Sequence, residues 1–423
     1  MRVPALSIGT VTKIVTVVVV LAALSQQFFH AFNCSIGTAC YQEDEITELH
    51  RTPIGLEASN SKRSRTRRTD SFGACLMVKG DNDLLYEWLA YHYTVLPLRH
   101  VVIGSDIGNP QDPAKVLQRW TDANTDLRYW TLSAGDFIHR HGNRTSNNHE
   151  DEKDKAHHEL IHRQKGFLTT CSELLKKEGV KWTLYIDSDE FVVFNRLGND
   201  DKLLTIGGNG HDSINNVSYQ IRRNLPNADS SDTLLDAIQR ISKHTSHMGS
   251  CYTLPRLIVG SLENQTCADA SEINAMAKRE YDFGAMSTLR FVQHAKKGDF
   301  ANSKFGKVMI DLSNLTAALL AQKLPNNIHR PFREHCGPGF VHFPNAFVYL
   351  NHYIGSWERY SSREDNRRNR KEWEQRAYFN VGTVCDKAIY RWFPRFVQMM
   401  GDERAKFLLG VHTLHSLSGN RNL

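Results

Sequence analysis

The run from Trp182 to Phe194, WTLYIDSDEFVVF, constrains the fold of this chain most strongly. Its first part is rich in aromatic and β-branched residues over the length of one strand and lacks helical spacing, which predicts a buried strand. Asp187 and Asp189 follow where that strand ends. Because side chains alternate along an extended backbone, residues two apart point the same way. We therefore expect both carboxylates to face one ligand.

The chemistry of this acidic pair points to a divalent cation. Mg²⁺ and Mn²⁺ take oxygen ligands and commonly bind one or two carboxylates while substrate phosphates complete the shell. Nucleotide-sugar donors are held in this way. His352 ends a second apolar run, Val341 to Tyr353, and a neutral imidazole is a competent third ligand. A hydrogen-bonded core histidine is the alternative interpretation of His352.

Two other interpretations of the acidic pair stand beside the metal site. A bare D-x-D is common by chance, so it could be solvated surface or a cap on the next element. Phosphatases of the dehalogenase type also place an aspartate after a hydrophobic strand. They require Thr or Val four positions after the first aspartate, and here that position is Phe191. A phosphatase is disfavoured for that reason, and also because the chain lacks a second aspartate cluster.

The N-terminal segment predicts a membrane anchor. An uncharged stretch rich in valine and alanine, Ile14 to Leu24, follows Arg2 and Lys13. We expect residues 1–25 to form an uncleaved signal anchor with its basic residues on the cytoplasmic side, and a cleaved signal peptide is the alternative. Residues 26–71 are polar and aperiodic, which predicts a flexible stem. The expected location is a Golgi or other secretory-pathway membrane, single-pass type II, with secretion as the alternative.

Charge and glycosylation signals agree with a lumenal protein. The net charge of +6 is modest, and part of it lies in the stem, so we expect no nucleic-acid partner. Sequons for N-glycosylation begin at five asparagines: Asn33, Asn143, Asn216, Asn264 and Asn314.

The cysteine content also suits an oxidising compartment. Among the eight cysteines, Cys34 and Cys40 could pair in the stem. No C-x-x-C spacing occurs, so a zinc site is not expected. Further candidates for disulfide formation lie in the C-terminal half: Cys251, Cys267, Cys336 and Cys385.

The globular part is expected to begin at residue 72 with a parallel β-α-β unit. Apolar patterns predict a strand over Gly73 to Val78, a helix over Leu84 to Leu96 and a second strand over His100 to Ile103. Ligands lie beyond the carboxyl ends of such strands. Lys79 and Asp106 follow the two strands, so they are candidate contacts to the phosphate and to the ribose or base of a nucleotide. A surface charge beside a turn is the alternative for each.

A further strand is predicted around Leu127 to Trp130, followed by a helix that begins at Glu159 and ends at Gly179. Arg163 and Gln164 lie on this helix, one element before the acidic pair, and are further candidate donor contacts. The alternative is that they only cap the edge of the core. Later strands are predicted over Asn216 to Arg222, Cys251 to Gly260, Thr288 to Gln293 and Lys307 to Asp311.

Lys307 lies beside Gly306 at a predicted turn and is a candidate contact to a diphosphate. Exposed lysine is the common alternative.

Together with the acidic run, a set of motifs in this order resembles glycosyltransferase family 92 and related GT-A-like proteins of family 2 type. The motifs are CLMVKGDNDLLYEWLAYHY, RQKGF with Cys171, WTLYIDSDEFVVF, FGKVMIDLSNL, IHRP and NHYIGSWERY. They extend from about Cys75 to Tyr360.

The resemblance implies an α/β fold of GT-A-like type. It implies one catalytic domain over residues 72–360, with a mainly parallel central sheet flanked by helices, and leaves residues 361–423 as a C-terminal helical extension. The implied function is transfer of a hexose from a nucleotide-sugar donor, such as a UDP-sugar, to a glycan or glycoprotein acceptor, with Mn²⁺ or Mg²⁺ as cofactor. The alternative outside enzymology is an inactive lumenal protein that binds glycans.

The resemblance also implies roles for individual residues. Asp187 and Asp189, with His352, would hold the metal and the donor diphosphate, and Lys307 falls at the family's G-K position. The C-terminal motifs of the family match His329 and the block of His352, Tyr353 and Glu358. Inversion requires a carboxylate that takes the acceptor's proton. Candidates for this base are Glu358 and Glu334, whereas strand alternation is expected to place Glu190 on the opposite side.

Overall fold

Two β-sheets, with helices between and around their strands, make up the part of the chain that the computed structural model describes. The described residues are 72–138, 152–195, 251–261, 281, 283–294, 306–321, 329, 346–362, 369–379, 384–385 and 388–411. They belong to one compact unit, Ser61–Leu423. The predicted anchor, the predicted stem and the predicted strand over 216–222 lie outside these residues. None of the helices in the described ranges is long and apolar enough to span a membrane.

The first sheet has six strands, of which four neighbours are parallel. Its spatial order is β3-β2-β1-β4-β9-β6, and β9 runs antiparallel to both β4 and β6. The expected α/β class with parallel strands is confirmed. The strands are β1 (Phe72–Val78), β2 (Leu98–Ser105), β3 (Arg128–Leu132), β4 (Trp182–Tyr185), β6 (Cys251–Leu254) and β9 (Lys307–Asp311).

The second sheet has five strands in the order β11-β8-β7-β10-β5. In it β10 runs parallel to β7 and antiparallel to β5. Its strands come from distant parts of the chain: β5 (Glu190–Phe194), β7 (Arg256–Val259), β8 (Gln293–His294), β10 (Val348–Tyr353) and β11 (Val384–Cys385).

The helices predicted from periodicity are present. The first, α1, spans Asn82–Val95, and the helix predicted from Glu159 begins earlier, so that α4 spans Glu152–Lys177. Gly179 adopts φ +78° just after α4, as expected of a glycine that ends a helix. The others are α2 (Ala114–Asp122), α3 (Ala134–Phe137), α5 (Ser287–Arg290), α6 (Ala317–Ala321), α7 (Trp357–Ser362), α8 (Arg370–Phe379), α9 (Trp392–Met400) and α10 (Asp402–Leu408).

Helices cover both faces of the six-stranded sheet. Along β1, Ala74 and Leu76 join a buried cluster with Trp88 of α1, whereas Cys75 joins a second cluster with Phe167 of α4. This alternation is the period of two that a strand imposes. Because both faces of the sheet are buried, its strands are continuous apolar runs in the sequence.

A disulfide joins β1 to α4 through Cys75 and Cys171, which are 96 residues apart in sequence. Closing so long a loop stabilises the fold by about 2–4 kcal/mol through its effect on the unfolded chain. The candidate pairings drawn from the sequence left out both residues. Cys251 is also disulfide-bonded.

Two predicted strands are wrong in detail. The run from Cys251 to Gly260 is not one strand, because Pro255 separates β6 from β7 and the two belong to different sheets. Proline has no N–H and cannot continue a hydrogen-bond ladder. The run from Thr288 to Gln293 contains the end of α5 instead, because the Glu87 carboxylate accepts the first amides of that helix.

The run from Trp182 to Phe194 passes from one sheet to the other. Its first part is β4 of the six-stranded sheet and its last part is β5 of the five-stranded sheet. Between them the chain turns, and the Glu190 N–H donates to the Asp187 carbonyl at 3.1 Å. The expected extended backbone through Asp187 and Asp189 is therefore wrong, because Asp and Ser residues favour turns. We call residues 186–189 the acidic turn.

Candidate functional site

Three of the predicted site residues lie at one edge of the six-stranded sheet. Lys79 follows β1, Asp106 follows β2 and Asp187 follows β4. These strands are parallel neighbours with β1 in the middle, so their carboxyl ends meet at the same edge. In open α/β sheets this edge is where ligands bind.

Asp106 and Arg163, both predicted donor contacts, bind each other. The Arg163 guanidinium donates from Nε to Oδ1 at 2.6 Å and from Nη2 to Oδ2 at 3.1 Å. Asp106 is buried, and its own N–H donates to the Val78 carbonyl at 3.0 Å. A bidentate, charge-assisted pair of this kind fixes the orientation of the guanidinium plane. It ties α4 to the carboxyl end of β2.

The loops that follow β1 and β2 are joined next to Lys79. The Gly80 N–H donates to Asn109 Oδ1 at 2.8 Å, and the Asn82 N–H donates to Gln111 Oε1 at 2.8 Å. Lys79 itself is half-buried. The chain thus presents a lysine between two loops that hydrogen bonds hold together.

Lys307 and Asp187 form a second close ion pair in the candidate site. Lys307 Nζ lies 2.7 Å from Asp187 Oδ2, and the side chains are 7% and 48% exposed respectively. Burial alone would raise the pKa of Asp187, but the Lys307 ammonium outweighs it and holds that pKa below its usual value. Burial alone would lower the pKa of Lys307, yet the charges of Asp187 and Glu190 raise it. Lys307 is therefore a buried cation at the sheet edge.

Glu190 belongs to the same charged cluster, contrary to the expectation from strand alternation. Its side chain is fully buried, and it accepts the Asp187 N–H at 2.9 Å through Oε2. Lys307 Nζ lies 4.0 Å from Oε2, and Arg256 Nη1 lies 3.4 Å from Oε1. Burial, the largest influence, raises the pKa of Glu190 despite these cations. The acidic turn brings Glu190 to this side.

His352, a predicted metal ligand, lies next to Asp189. His352 Nε2 lies 3.6 Å from Asp189 Oδ2. The pairing of β10 with β5 sets this distance, because it places His352 opposite Glu190. On the same side, the Tyr353 N–H donates to the Asp189 carbonyl at 2.9 Å.

Two of the three candidate metal ligands, Asp189 and His352, are spaced as a hard divalent cation requires. Ligands at right angles on a Mg²⁺ ion are about 3 Å apart, close to the observed separation of the Asp189 and His352 side chains. Across the described ranges, no group of three or more His, Cys, Asp and Glu side chains is placed to hold a metal ion. A site of this kind takes its remaining ligands from phosphate oxygens. Asp189 and His352 therefore fit such an ion, whereas Asp187 already binds a lysine.

His329, which the sequence placed only in a family motif, contributes to the cluster. Its Nδ1 lies 3.1 Å from the Gly306 carbonyl oxygen. Burial, with the charges of Lys307 and Arg256, lowers the pKa of His329 to about 4. The imidazole is therefore neutral near pH 7. Arg256 and Glu190 are the residues that sequence reasoning missed, because they lie far apart in sequence on β7 and β5, the two strands that pair with β10.

The two candidate bases are placed differently. Glu358 lies in the first turn of α7 and is exposed. Hydrogen bonds from its own N–H and from the Ser356 hydroxyl lower the pKa of Glu358. Glu334 lies outside the described residues.

A small cavity adjoins the ion pair on the α4 side of the sheet. Its volume is about 30 Å³, and its lining includes Gln164, Asp187 and Lys307. Gln164 Oε1 is buried and has no hydrogen-bond partner among the described residues. Gln164, a predicted donor contact, therefore presents a spare acceptor beside the cluster.

No protein-family model matches the chain, and no curated protein matches it either.

Proposed function

We propose that this chain is a metal-dependent glycosyltransferase of GT-A-like fold that moves a hexose from a UDP-sugar to a glycan or glycoprotein acceptor, with inversion. One observation carries the proposal. Two acidic residues of one turn, at the carboxyl ends of the parallel strands, lie next to a buried cation and a histidine: Asp187 beside Lys307 and Asp189 beside His352. This edge is where such folds bind ligands.

Different residues would bind different parts of the nucleotide diphosphate. Lys307 and Lys79 supply positive charge for the phosphate oxygens, which stabilises the diphosphate as it leaves. Gln164 offers its free amide oxygen to a donor N–H of the nucleotide. Asp106, held by Arg163, fixes the end of β2 and offers carboxylate oxygens to the ribose or base.

Asp189 and His352 would hold a divalent cation, Mn²⁺ or Mg²⁺. When bound, such an ion supplies Lewis-acid stabilisation of the leaving diphosphate. Asp187 keeps Lys307 at the same edge, so one buried ammonium would lie beside the diphosphate. In the reaction, the bond from the anomeric carbon to phosphate breaks and a bond to the acceptor oxygen forms.

A carboxylate must take the proton of the acceptor hydroxyl. Glu358 is exposed and is ionised near neutral pH, as a carboxylate that accepts this proton must be. Glu334 is the second candidate for this base. The proposed location is the lumen of the secretory pathway, with residues 1–25 in the membrane. Asn314 begins a sequon and is exposed, which is compatible with glycosylation there.

The test is release of free UDP from a panel of UDP-hexoses by the full-length protein, with Mn²⁺ or with chelator. We expect release from one donor that requires Mn²⁺. The Asp189→Asn variant should lose at least about a hundredfold of that rate. Asp126→Asn is the matched control, because Asp126 pairs with Arg99 away from the acidic turn.

A folded wild-type protein that releases no nucleotide and gains no thermal stability from UDP with Mn²⁺ would contradict the proposal. Retention of glycan binding in that case would favour the inactive glycan-binding protein.

A further inference from the structure

We infer that helix α1 serves as a substitute strand along the open edge of β5, and that Trp88, Tyr91 and His92 thereby position the acidic turn. The catalytic consequence rests on the proposed function, whereas the positioning itself does not. These three residues touch no ligand in this scheme, so they are positioning residues.

The edge in question is the side of β5 that faces away from β10. In the described part of the five-stranded sheet, β5 is the last strand and β10 is its one neighbour. The Asp189 carbonyl accepts from Tyr353 and the Asn195 N–H donates to Phe347, so odd-numbered residues bond towards β10. In an antiparallel ladder the residues between them direct their peptide groups to the opposite side.

Glu190 and Val192 together direct four peptide groups outward, and α1 bonds three of them. Trp88 Nε1 donates to the Glu190 carbonyl at 3.1 Å. The Val192 N–H donates to His92 Nε2 at 3.3 Å, and the Tyr91 hydroxyl donates to the Val192 carbonyl at 2.7 Å. The fourth group of these two residues, the Glu190 N–H, donates to the Asp187 carbonyl within the turn. A buried strand edge without such partners would be strongly destabilised.

The sequence spacing makes this possible. Positions three and four apart on a helix share one face, so Trp88 presents its side chain beside those of Tyr91 and His92. All three are fully or almost fully buried. Ring contacts hold them as well, since the His92 ring stacks on Phe191 and the Tyr91 ring meets Phe191 edge-on.

His92 can act only as a neutral ring in a fixed tautomer. Its Nδ1 lies 2.8 Å from the Trp88 carbonyl oxygen, so Nδ1 carries the hydrogen and Nε2 is free to accept from Val192. Burial lowers the pKa of His92 to about 3, which agrees with this neutral form.

The acidic turn is thus held on both sides. On one side the Asp189 carbonyl is bonded to Tyr353 of β10, and on the other the Glu190 carbonyl is bonded to Trp88 of α1. The Glu190 side chain in turn accepts the Asp187 N–H. A shift of α1 would therefore move the carboxylates that face the proposed ligand, and errors near 1 Å strongly reduce catalysis.

The test is hydrogen exchange of the segment 187–194 in the full-length protein, measured for Tyr91→Phe and His92→Leu. Each variant leaves a polar group of Val192 without a partner. We expect this segment to exchange about ten times faster while the rest of the protein keeps its protection. Tyr93→Phe is the matched control, because the buried Tyr93 bonds Asp126 from the same helix without touching β5. His92→Gln keeps an acceptor and should restore much of the protection.

Release of UDP at saturating donor should fall about tenfold in Tyr91→Phe and stay unchanged in Tyr93→Phe. Unchanged exchange of 187–194 in both edge variants would overturn the inference. Faster exchange with undiminished release would overturn the link from this edge to catalysis. A wild-type protein that releases nothing would refute the proposed function alone, since the exchange result still decides the role of α1.

Discussion

The acidic turn and β5 form one segment, and its two sides are stabilised by different kinds of interaction. Towards the edge of the six-stranded sheet, the partners are charged: Lys307 lies 2.7 Å from Asp187, and Arg256 lies 3.4 Å from Glu190. Towards α1, the partners are neutral groups of Trp88, Tyr91 and His92 that bond the backbone.

This difference indicates that the charged side binds the ligand and that the neutral side keeps the segment rigid. A charged side chain that is half exposed, such as Asp187, can exchange its partner for a charged ligand. A neutral hydrogen bond buried in the core has no ligand to exchange with, and its loss leaves an unsatisfied group. Substitutions on the charged side should therefore act on ligand binding, and those on the neutral side on the rigidity that supports it. Lys307 and Glu190 are the exceptions, since these ionisable side chains of the charged side are buried.

Lys307→Met should give the largest change in stability. It leaves Glu190 buried beside Arg256 alone and removes the partner of Asp187. We expect the free energy of unfolding at pH 7.5 to fall by about 3 kcal/mol, the low end for a buried pair, because Asp187 is half exposed. Urea denaturation measures this change.

Lys181→Met is the matched control for that variant. Lys181 Nζ lies 3.7 Å from Asp311 Oδ2, but the lysine is 49% exposed. A surface ion pair contributes at most about 1 kcal/mol. Equal losses in the two variants would mean that the charged side does not depend on Lys307, and the contrast between the two sides would fail.

The neutral side predicts a distinct pH dependence. The folded protein binds a proton at His92 only below about pH 3, whereas the ordinary pKa of histidine is 6.5. Unfolding on the acid side of pH 6.5 therefore takes up a proton, so stability contributed by neutral His92 is lost as pH falls. Relative to His92→Gln, wild type should lose about 1.4 kcal/mol per pH unit between pH 6 and pH 4. Denaturation curves at several pH values that stay parallel for the two proteins would contradict a buried neutral His92.

Glu87, on the same helix, should show a smaller effect of opposite sign. Its buried carboxylate accepts the amides of Ser287 and Thr288, each at 2.7 Å. Burial raises the pKa of Glu87 from 4.5 to about 6. The folded state thus holds this proton more tightly, so stability rises as pH falls from about 6 to 4.5.

Relative to Glu87→Gln, wild type should gain about 2 kcal/mol over this range. Thermal denaturation of both proteins across the same buffers measures the gain. A gap between them that stays constant with pH would show that Glu87 does not titrate in the folded protein.

The parts of the fold that local patterns encode were predictable. The strand of β1, the helix α1 and the strand of β2 carry apolar residues at the period of their own element, and each prediction is confirmed. Prediction failed where distant residues decide. Thr288 and its neighbours have strand-like composition, yet Glu87, about two hundred residues earlier, caps them as a helix.

The candidate site was predictable only as a set of residues. Asp187 and Asp189 stand out because they follow a buried strand, and the structure places Asp189 Oδ2 3.6 Å from His352 Nε2. The place of Glu190 was not predictable from alternation, because a turn interrupts the strand just before it. The disulfide partner of Cys75 was not predictable either, because cysteine spacing does not determine disulfide connectivity.

The most direct test of the central claim is calorimetric titration of the full-length protein with UDP, in the presence of Mn²⁺ and again with chelator. If the edge formed by Asp187, Asp189, Lys307 and His352 binds a metal diphosphate, UDP should bind with Mn²⁺ and lose at least about tenfold in affinity with chelator. The Asp189→Asn variant should show the weak affinity in both conditions. Equal binding of UDP by wild type and variant, or no binding by folded wild type with Mn²⁺, would contradict the claim.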